Sequence, residues 1–311
     1  MSMDELTLAA TAHNNWDEVA AMIASVEATA GALREIVVVD DGSRERRTIE
    51  ARAPVRVVRN DSPKCFAGAA ADALDAVQTP YGLLVDADVR FLPGSFAKVY
   101  EAFRADAKAA WAGFSQVTPD GRSGGAGEAF QPPPSIFARG NVARTAWQKR
   151  LEGTEPARQG ALLPMEVVYS SAVLVRMDLY RRVGGIDRAF RQSVVDYDIS
   201  ARLRAAGYKV GIYPDYTVQH EGHDSNTGGE RRIFDTYAGY LYFYEKFYPA
   251  TRCWLRPMLS ARHLVEAIWC GMKRDPRSSQ RMKLAKAVWR GYSRRDGRIV
   301  AWSSETCRAQ S

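Results

Sequence analysis

The sequence has few cysteines and no long apolar run. These two features argue against a disulfide-rich protein, a zinc protein and a membrane-spanning protein. Its four cysteines lie far apart and form no CxxC pair, so neither a disulfide framework nor a zinc site is expected. No stretch approaches the roughly 18 apolar residues of a membrane-spanning helix. The first residues also lack the basic region and apolar stretch of a signal peptide. We therefore expect a protein of the reducing cytoplasm.

Common nucleotide-binding signatures and internal repeats are also missing. The chain contains neither GxxxxGK[ST] nor GxGxxG, which disfavours a P-loop and a dinucleotide fingerprint. At 311 residues it suits one large domain, or one domain with an appendage.

Positive charge is concentrated towards the C-terminus. The formal net charge is +7, yet residues 1–251 hold slightly more acids than bases. Residues 252–298 contain thirteen Lys and Arg against three acids. The two regions are therefore expected to meet different partners.

Strand and helix patterns alternate over roughly the first ninety residues. The predicted strands are 6–15, 35–43, 55–60 and a run from 81, with helices at 16–30 and 66–77. Such alternation predicts an α/β fold with a mostly parallel sheet flanked by helices. In such sheets ligands bind beyond the carboxyl ends of the strands.

The rest of the chain is less regular. We predict a long loop region over 118–164, a strand and a helix over 165–185, a helix over 194–207 and a strand pair over 208–223. From about residue 230 the sequence is aromatic and basic, with helical spacing.

A cluster of polar residues lies at the carboxyl end of each strand of the predicted sheet. The clusters are His13-Asn14-Asn15, Asp40-Asp41-Gly42-Ser43, Arg59-Asn60-Asp61 and Asp86-Ala87-Asp88. Because parallel strands end at one edge, these side chains are expected to converge on a polar ligand.

Asp86 and Asp88 are candidate metal ligands. On an extended strand, residues two apart share a face, and two carboxylates suit Mg²⁺ or Mn²⁺, which bridge to substrate phosphates. The alternative is a solvated polar turn. Asp40 and Asp41 could accept hydrogen bonds from a ribose hydroxyl or a base N–H, or could cap the next segment.

Four segments occur in the order found in a known enzyme family. They are EIVVVDDGS, VDAD, YSSAVLVRMDLYRRVGGIDRAF and VVDYDISARLRAAGYKVGIYPDYTVQHEGH. Over roughly residues 6–225 the chain resembles family 2 glycosyltransferases. Within that family it resembles in particular bacterial rhamnosyltransferase-like and galactofuranosyltransferase-like members. The resemblance implies a GT-A fold and transfer of a sugar from a nucleotide diphosphate with inversion.

The resemblance also implies a domain plan. A GT-A catalytic domain would span 1–229, with a nucleotide-sugar-binding half at 1–115 and a loop and acceptor half at 116–229. A basic, aromatic, helical extension would follow at 230–311.

Site residues follow from the matching motifs. Asp41, with Asp40 beside it, resembles the acid that contacts the nucleoside. Asp88 resembles the metal-binding acid, and Asp86 would face the ribose or the metal. His220 matches a histidine that completes the metal shell. The full set expected to bind the nucleotide sugar is Thr11, His13, Asn14, Asp40, Asp41, Asn60, Lys64, Asp86 and Ala87.

Asp196 matches the family's general base, the second acid of an acidic pair. Val195 stands where many relatives carry the first acid, which leaves Asp196 as the one candidate base. A carboxylate suits the role because the attacking hydroxyl must lose a proton.

The resemblance names partners in outline. It implies Mn²⁺ or Mg²⁺, a UDP-sugar donor in preference to a dTDP-sugar, and a glycan or lipid-linked glycan acceptor. Residues 230–300 could contact the inner face of the membrane peripherally, bind a polyanion such as nucleic acid, or pack as a lid. Alternatives to the predicted activity are transfer to modified DNA or another polyanion, and non-catalytic sugar-nucleotide binding.

Overall fold

The computed structural model describes residues 3–133, 160–222 and 229–301. The chain divides into two compact units. The N-terminal unit comprises Met1–Phe130, Ala143–Asp187 and Asp196–His223, and the C-terminal unit comprises Gln131–Val142, Arg188–Val195 and Asp224–Ser311. The domain boundary expected at residues 229–230 stays a prediction.

The first half of the N-terminal unit alternates strands with helices, as the hydrophobic pattern predicts. Its elements are β1 (Met3–Ala12), α1 (Trp16–Ala30), β2 (Leu33–Asp40), β3 (Val55–Arg59), α2 (Cys65–Asp75), β4 (Tyr81–Val85), β5 (Val89–Phe91), α3 (Phe96–Ala105) and β6 (Ala109–Val117). β4 is buried along its whole length, as expected for a strand covered on both faces.

The second half contributes shorter strands and one long one. Its elements are β7 (Ser123–Gly124), β8 (Gly127–Glu128), β9 (Leu163–Pro164), β10 (Val167–Val168), β11 (Ala172–Arg176), α4 (Met177–Arg182), α5 (Val195–Ala205) and β12 (Lys209–His220). The strand pair predicted over 208–223 is wrong, because β12 is one strand. A register shift between Tyr213 and Thr217 accommodates Pro214, which cannot donate to the ladder.

One sheet forms the centre of the N-terminal unit, in the order β3-β2-β1-β4-β11-β6-β12-β5. The pairs β3–β2, β2–β1, β1–β4 and β6–β12 are parallel. β11 runs antiparallel to β4 and β6, and β5 runs antiparallel to β12. The predicted α/β class with a mostly parallel sheet is therefore confirmed.

The strand directions bring distant parts of the sequence to one edge. β1, β2, β3, β4, β6 and β12 all point the same way, so their carboxyl ends lie at the same edge of the sheet. The reversed strands β5 and β11 begin there instead. Residues just after the first group and just before the second therefore meet, which is the setting of a ligand site in this class of sheet.

An aromatic cluster fixes the short strand β5 at the sheet's end. The ring of Phe91 lies 5.5 Å from that of Phe96, 5.8 Å from that of Phe114 and 5.7 Å from that of Tyr216, between centroids. Burial of these rings, with their favourable mutual geometry, holds a strand of three residues that could not be stable alone.

The C-terminal unit is mainly helical. Its elements are α6 (Gly229–Phe247), a 3₁₀ turn (Pro249–Cys253), α7 (Leu255–Met272), α8 (Arg277–Arg290), β13 (Tyr292–Arg295) and β14 (Arg298–Ala301). Ser260 and Ser278 each donate a hydrogen bond between α7 and α8, to the carbonyls of Ala285 and Ala267. β13 and β14 form an antiparallel hairpin.

The aromatic stretch at the end of α6 forms the core of this unit. Tyr242, Phe243 and Tyr244 are at most 8% exposed, and the carboxylate of Glu245 accepts hydrogen bonds from Arg256 and Tyr292. Because these three side chains are buried, they do not provide the membrane contact left open for residues 230–300. Among the described residues, no helix is both long and apolar enough to cross a membrane.

Candidate active site

Two carboxylates and one imidazole form a cluster at the carboxyl edge of the sheet. One ligand atom from each of Asp86, Asp88 and His220 lies within 4.8 Å of the other two. All three side chains are partly exposed, so a ligand can reach them. Oxygen and imidazole donors suit a divalent cation such as Mn²⁺, and the cluster fits such an ion.

Pairing between β5 and β12 brings the cluster together. His220 pairs with Val89, and the Glu221 N–H donates to the carbonyl of Asp88 at 3.1 Å. Asp86 and Asp88 lie in a turn closed by the Val89 N–H and the Asp86 carbonyl at 3.1 Å. The expectation that the two acids share a strand face is therefore wrong, and the turn places them side by side instead.

The protonation behaviour of the cluster reflects crowded negative charge. Burial raises the pKa of Asp86 to about 8, and the charges of Asp88 and Asp196 add to the rise while His220 opposes it. Burial lowers the pKa of His220, but its hydrogen bond to Asp88 and the charges of Asp88 and Asp86 outweigh this, so the net shift is upward. A cation would relieve the repulsion and displace a proton.

A polar pair behind His220 sets the orientation of its ring. His220 Nδ1 lies 3.1 Å from Gln116 Oε1, and Gln116 Nε2 donates to Ser171 Oγ at 2.7 Å. Because an amide oxygen can only accept, Nδ1 carries a proton towards Gln116. The proton on Nε2 bonds Asp88, and a cation that took Nε2 as a ligand would displace it. Nε2 lies 3.3 Å from Asp88 Oδ2, on the side of the cluster.

Asp196 lies at the start of α5, near the cluster. Its Oδ1 accepts a hydrogen bond from the Ser170 N–H at 3.0 Å. Burial raises the pKa of Asp196 to about 6; the hydrogen bonds from Ser170 oppose the rise, and the charge of Glu128 adds to it. A carboxyl with this pKa is ionised at neutral pH yet accepts a proton more readily than an ordinary aspartate.

Asp198, two residues later, has a different environment. Its side chain is fully buried and Oδ2 accepts hydrogen bonds from Arg202 Nε at 2.8 Å and Nη2 at 2.5 Å. Arg202 also donates to the carbonyl of Val183 at 2.6 Å. Asp198 therefore ties the helix to the neighbouring loop.

The two acids after β2 have separate roles in a hydrogen-bonded loop. Asp40 is 1% exposed; its carboxylate accepts from the Ser43 N–H at 2.8 Å and forms an ion pair with Arg59. Asp41 Oδ1 accepts from Asn60 Nδ2 at 2.9 Å and from the Lys64 N–H at 2.8 Å. Both of these bonds fall on one oxygen of Asp41.

The end of β1 is joined to this loop. His13 Nδ1 lies 2.8 Å from the Asp41 carbonyl, and the Asn14 N–H donates to Ser43 Oγ at 2.9 Å. Asn14 has a positive φ of 60°, a conformation that Asn tolerates better than most residues. Thr11 pairs with Val39 inside the sheet.

Two further residues of the predicted nucleotide-sugar set are engaged by the protein. Lys64 Nζ donates to Asp72 Oδ2 at 2.7 Å, so its ammonium is held along α2. Ala87 is 6% exposed, and its carbonyl accepts from Arg90 Nη1 at 2.6 Å. Both lie at the same edge of the sheet as the other predicted contacts.

Comparison with known families decides the identity of the fold. Residues 7–173, more than half of the chain, match the sequence model described as "Glycosyl transferase family 2". The chain belongs to glycosyl transferase family 2. This is the family that the motifs predicted, and the α/β sheet is of the GT-A type.

The solved structure of GalNAc-T7 agrees at the level of the fold. GalNAc-T7, crystallised with UDP, GalNAc and Mn²⁺, superposes with a TM-score of 0.54 at 15% identity, over 77% of this chain and 49% of that one. The chain thus spans about half the length of GalNAc-T7. A mannosyltransferase from Pyrobaculum calidifontis in complex with GDP-Man and Mn²⁺ gives 0.49 at 14% identity over 91% and 73%, and S. aureus TarS gives 0.48 at 11% over 75% and 38%. No curated protein matches the chain.

The structure brings together the residues singled out for the metal, and places Asp196 within electrostatic reach of Asp86. Their roles remain predictions. Trp147, which lies in the predicted loop region and could stack on a sugar ring or only pack, is outside the described residues. Gln116 belongs to no motif, and it contacts His220 only because β6 and β12 pair in parallel, so its role could not be predicted from the sequence.

Replacing Gln116 by Leu is expected to weaken binding of Mn²⁺ by about 10- to 100-fold, the usual cost of losing the group that orients a histidine ligand. Glutamate at this position should retain much of the affinity, because its oxygen can accept the same Nδ1 proton. Isothermal titration with Mn²⁺ in the presence of UDP measures both. Equal affinity of the wild type and Gln116→Leu would show that the orientation of His220 does not matter.

Proposed function

We propose that this glycosyltransferase moves a sugar from a nucleoside diphosphate to a hydroxyl of a glycan or lipid-linked glycan, with inversion and with a divalent cation. One observation carries the proposal: the ligand atoms of Asp86, Asp88 and His220 lie within 4.8 Å of one another. Two acids and a histidine at the sheet edge where such folds bind ligands suit a substrate that carries a diphosphate.

The loop after β2 supports the nucleoside end of the donor. Asp41 is held by Asn60 and by the Lys64 N–H through Oδ1, which fixes the direction of its second oxygen. That oxygen is proposed to accept a hydrogen bond from a base N–H or a ribose hydroxyl. The ion pair of Asp40 with Arg59 gives Asp40 a supporting role.

The nucleotide is proposed to be UDP in preference to dTDP. GalNAc-T7, which shares the fold, was crystallised with UDP. A cation held by Asp86, Asp88 and His220 would neutralise negative charge on the departing diphosphate. The crowded charge of the cluster supports this site, because a cation would remove the repulsion from Asp88 and Asp196 that adds to burial in raising the pKa of Asp86.

Asp196 is proposed as the general base. The acceptor hydroxyl loses its proton to the carboxylate while its oxygen forms the bond to the anomeric carbon and the bond to the diphosphate oxygen breaks. A single displacement of this kind inverts the anomeric centre and needs no covalent enzyme nucleophile. Val195 supplies no second acid, so Asp196 acts alone.

The proposed base predicts that kcat falls at low pH, which gives its pH profile an acid limb. Because the pKa of Asp196 is raised to about 6, the carboxyl is protonated below that pH and cannot accept the hydroxyl proton. With donor and Mn²⁺ saturating, kcat is expected to fall about tenfold per unit as pH drops below the pKa, and to level off above it. Initial rates of nucleoside diphosphate release from about pH 5 to 8 measure this.

Glu128→Gln provides the control for this assignment. The charge of Glu128 contributes to the raised pKa of Asp196, so its removal is expected to move the acid limb to lower pH. A limb that stays in place in this variant, or a wild-type rate that is flat across the range, would contradict the role of Asp196.

The reaction itself is tested by incubating the enzyme with UDP-, dTDP- and GDP-sugars, Mn²⁺ and a panel of glycan and lipid-linked acceptors. Release of nucleoside diphosphate that depends on both an acceptor and Mn²⁺ is expected. NMR of the product should show the opposite anomeric configuration to the donor. Binding without turnover across the panel would favour a non-catalytic sugar-nucleotide-binding protein.

A further inference from the structure

Helix α7 of the C-terminal unit has two apolar faces. The first faces the interior and contains Leu255, Leu259, His263 and Ala267, all buried. Their spacing of four residues forms a continuous stripe along the helix. This face accounts for the packing of α7 within the unit.

The second apolar face is exposed. It contains large apolar side chains spaced by three, four and seven residues, with exposed fractions between 42% and 68%: Met258, Leu264, Val265, Ile268, Trp269 and Met272. We call these six residues the exposed α7 row. Single exposed apolar side chains are ordinary, but a contiguous row along one helix marks a surface for interaction.

The exposed α7 row carries no acidic residue. The one acid of α7, Glu266, is only 13% exposed and lies 3.1 Å from Arg262 and 3.4 Å from Arg281 on α8. Positively charged residues are abundant nearby in the sequence, since thirteen Lys and Arg fall within residues 252–298. The exposed cations there are Arg252, Lys273, Arg274, Arg277, Lys283, Lys286, Arg290, Arg294 and Arg295.

We propose that the exposed α7 row docks on an anionic lipid bilayer, with α7 lying in the plane of the interface. A surface helix of this kind buries its apolar side chains at the boundary between headgroups and acyl chains, while neighbouring Lys and Arg contact anionic headgroups. The row includes Trp269, which is 50% exposed, and Trp favours this boundary. The ammonium of Lys273 lies 4.5 Å from the centre of its ring, so an apolar anchor and a cation meet at one point.

Charge separates a bilayer from the other occupants. A second copy of the chain would bring two strongly basic segments against each other, and repulsion opposes that contact. The phosphates of a nucleic acid would pair with the cations, but they would gain nothing from contact with a row of apolar side chains. Of these three occupants, the anionic lipid surface matches both the apolar row and the basic residues.

This surface is independent of the proposed reaction, because it lies in α7 and uses none of the candidate active-site residues. Its occupation would concentrate the enzyme where a lipid-linked acceptor resides. Failure of the catalytic proposal and failure of this one are therefore distinguishable, since vesicle binding requires no donor, acceptor or metal.

The test is flotation of the full-length protein with vesicles of phosphatidylcholine containing about 30% phosphatidylglycerol, compared with phosphatidylcholine alone. The wild type is expected to bind the anionic vesicles, to bind the neutral ones at least about tenfold more weakly, and to be released in part by roughly 0.5 M salt. Fluorescence from Trp269 is expected to shift to shorter wavelength on binding, and the shift should be lost in Trp269→Phe.

A triple variant, Val265→Ser with Ile268→Ser and Met272→Ser, is expected to reduce the partition constant by about tenfold or more. It leaves Trp269 and every cation in place. Val57→Ser removes a valine that is 41% exposed in β3 and should bind like the wild type. Circular dichroism and the unfolding temperature show that each variant is folded.

Four outcomes would overturn the proposal. One is a wild type that does not bind anionic vesicles, and another is a triple variant that binds as well as the wild type. The third is lipid-free self-association that the triple variant abolishes, measured by sedimentation velocity, since that result would assign the row to a second copy. The fourth is weak vesicle binding together with tight, salt-sensitive binding of duplex DNA. That result would show that residues 252–298 bind a polyanion and would contradict the proposal.

Discussion

Replacing Asp196 by Asn is expected to lower kcat by roughly a thousandfold or more, within the range that a positioned base contributes. The amide oxygen can still accept the Ser170 N–H, as Asp196 Oδ1 does at 3.0 Å, so the local structure should be kept. Asn cannot take a proton from the acceptor hydroxyl. Steady-state release of nucleoside diphosphate, with donor and Mn²⁺ saturating, measures the loss.

Binding and stability separate a lost base from a damaged fold. Donor affinity in Asp196→Asn should stay within about threefold of the wild type, because the proposed base contacts the acceptor. Above pH 6 the ionised Asp196 destabilises the folded state, since its folded pKa of about 6 exceeds the ordinary value. The neutral variant should therefore unfold at the same or a higher temperature at pH 8. Normal turnover would show that Asp196 is not the base.

Replacing Asp88 by Asn is expected to remove Mn²⁺-dependent binding of UDP, with a loss of affinity of about a hundredfold or more. The variant keeps the size of the side chain but loses the charge that faces His220 Nε2 at 3.3 Å. Isothermal titration of UDP with Mn²⁺, and again with EDTA, measures the metal-dependent part. Residual binding with EDTA is expected to match that of the wild type.

Asp178→Asn is the matched control for this change. Asp178 is an exposed aspartate of the N-terminal unit that forms an ion pair with Arg182. It follows the end of β11, at the opposite edge of the sheet from the cluster. Its replacement should leave Mn²⁺-dependent affinity unchanged. Unchanged metal-dependent affinity in Asp88→Asn itself would remove Asp88 from the metal site.

The sheet was predictable because its information is local. The buried run before Asp86 and the β-branched run before Asp40 mark strands by themselves, and alternation with helices implies parallel pairing. Parallel pairing then places the strand ends at one edge without knowledge of any long-range contact. Asp41, Asp88 and their neighbours follow directly after such strands, so their shared edge could be predicted from local sequence alone.

The details of the cluster could not be predicted, because they depend on pairing between distant strands. His220 faces Asp88 only since β12 pairs with β5, a strand of three residues that sequence patterns do not reveal. Phe91 holds that strand through three aromatic neighbours, and no local rule links them. Gln116 reaches His220 across the β6–β12 pairing in the same way.

The C-terminal unit shows a different limit of sequence reasoning. Both the end of α6 and the second half of α7 contain large apolar side chains near basic residues, so composition does not tell them apart. The structure buries Tyr244 and exposes Val265 and Met272, at 65% and 68%. Which apolar face is covered depends on the partners that the tertiary fold supplies.

The most direct test of the account is the unfolding temperature of the wild-type protein with UDP-, dTDP- and GDP-sugars, with Mn²⁺ or with EDTA. A ligand that binds only the folded state raises this temperature. The account predicts that at least one nucleotide sugar, with UDP derivatives foremost, raises it by several degrees with Mn²⁺ and by little with EDTA. Equal shifts with Mn²⁺ and EDTA, or no shift with any nucleotide sugar, would contradict the claim that Asp86, Asp88 and His220 hold a cation for a nucleotide-sugar donor.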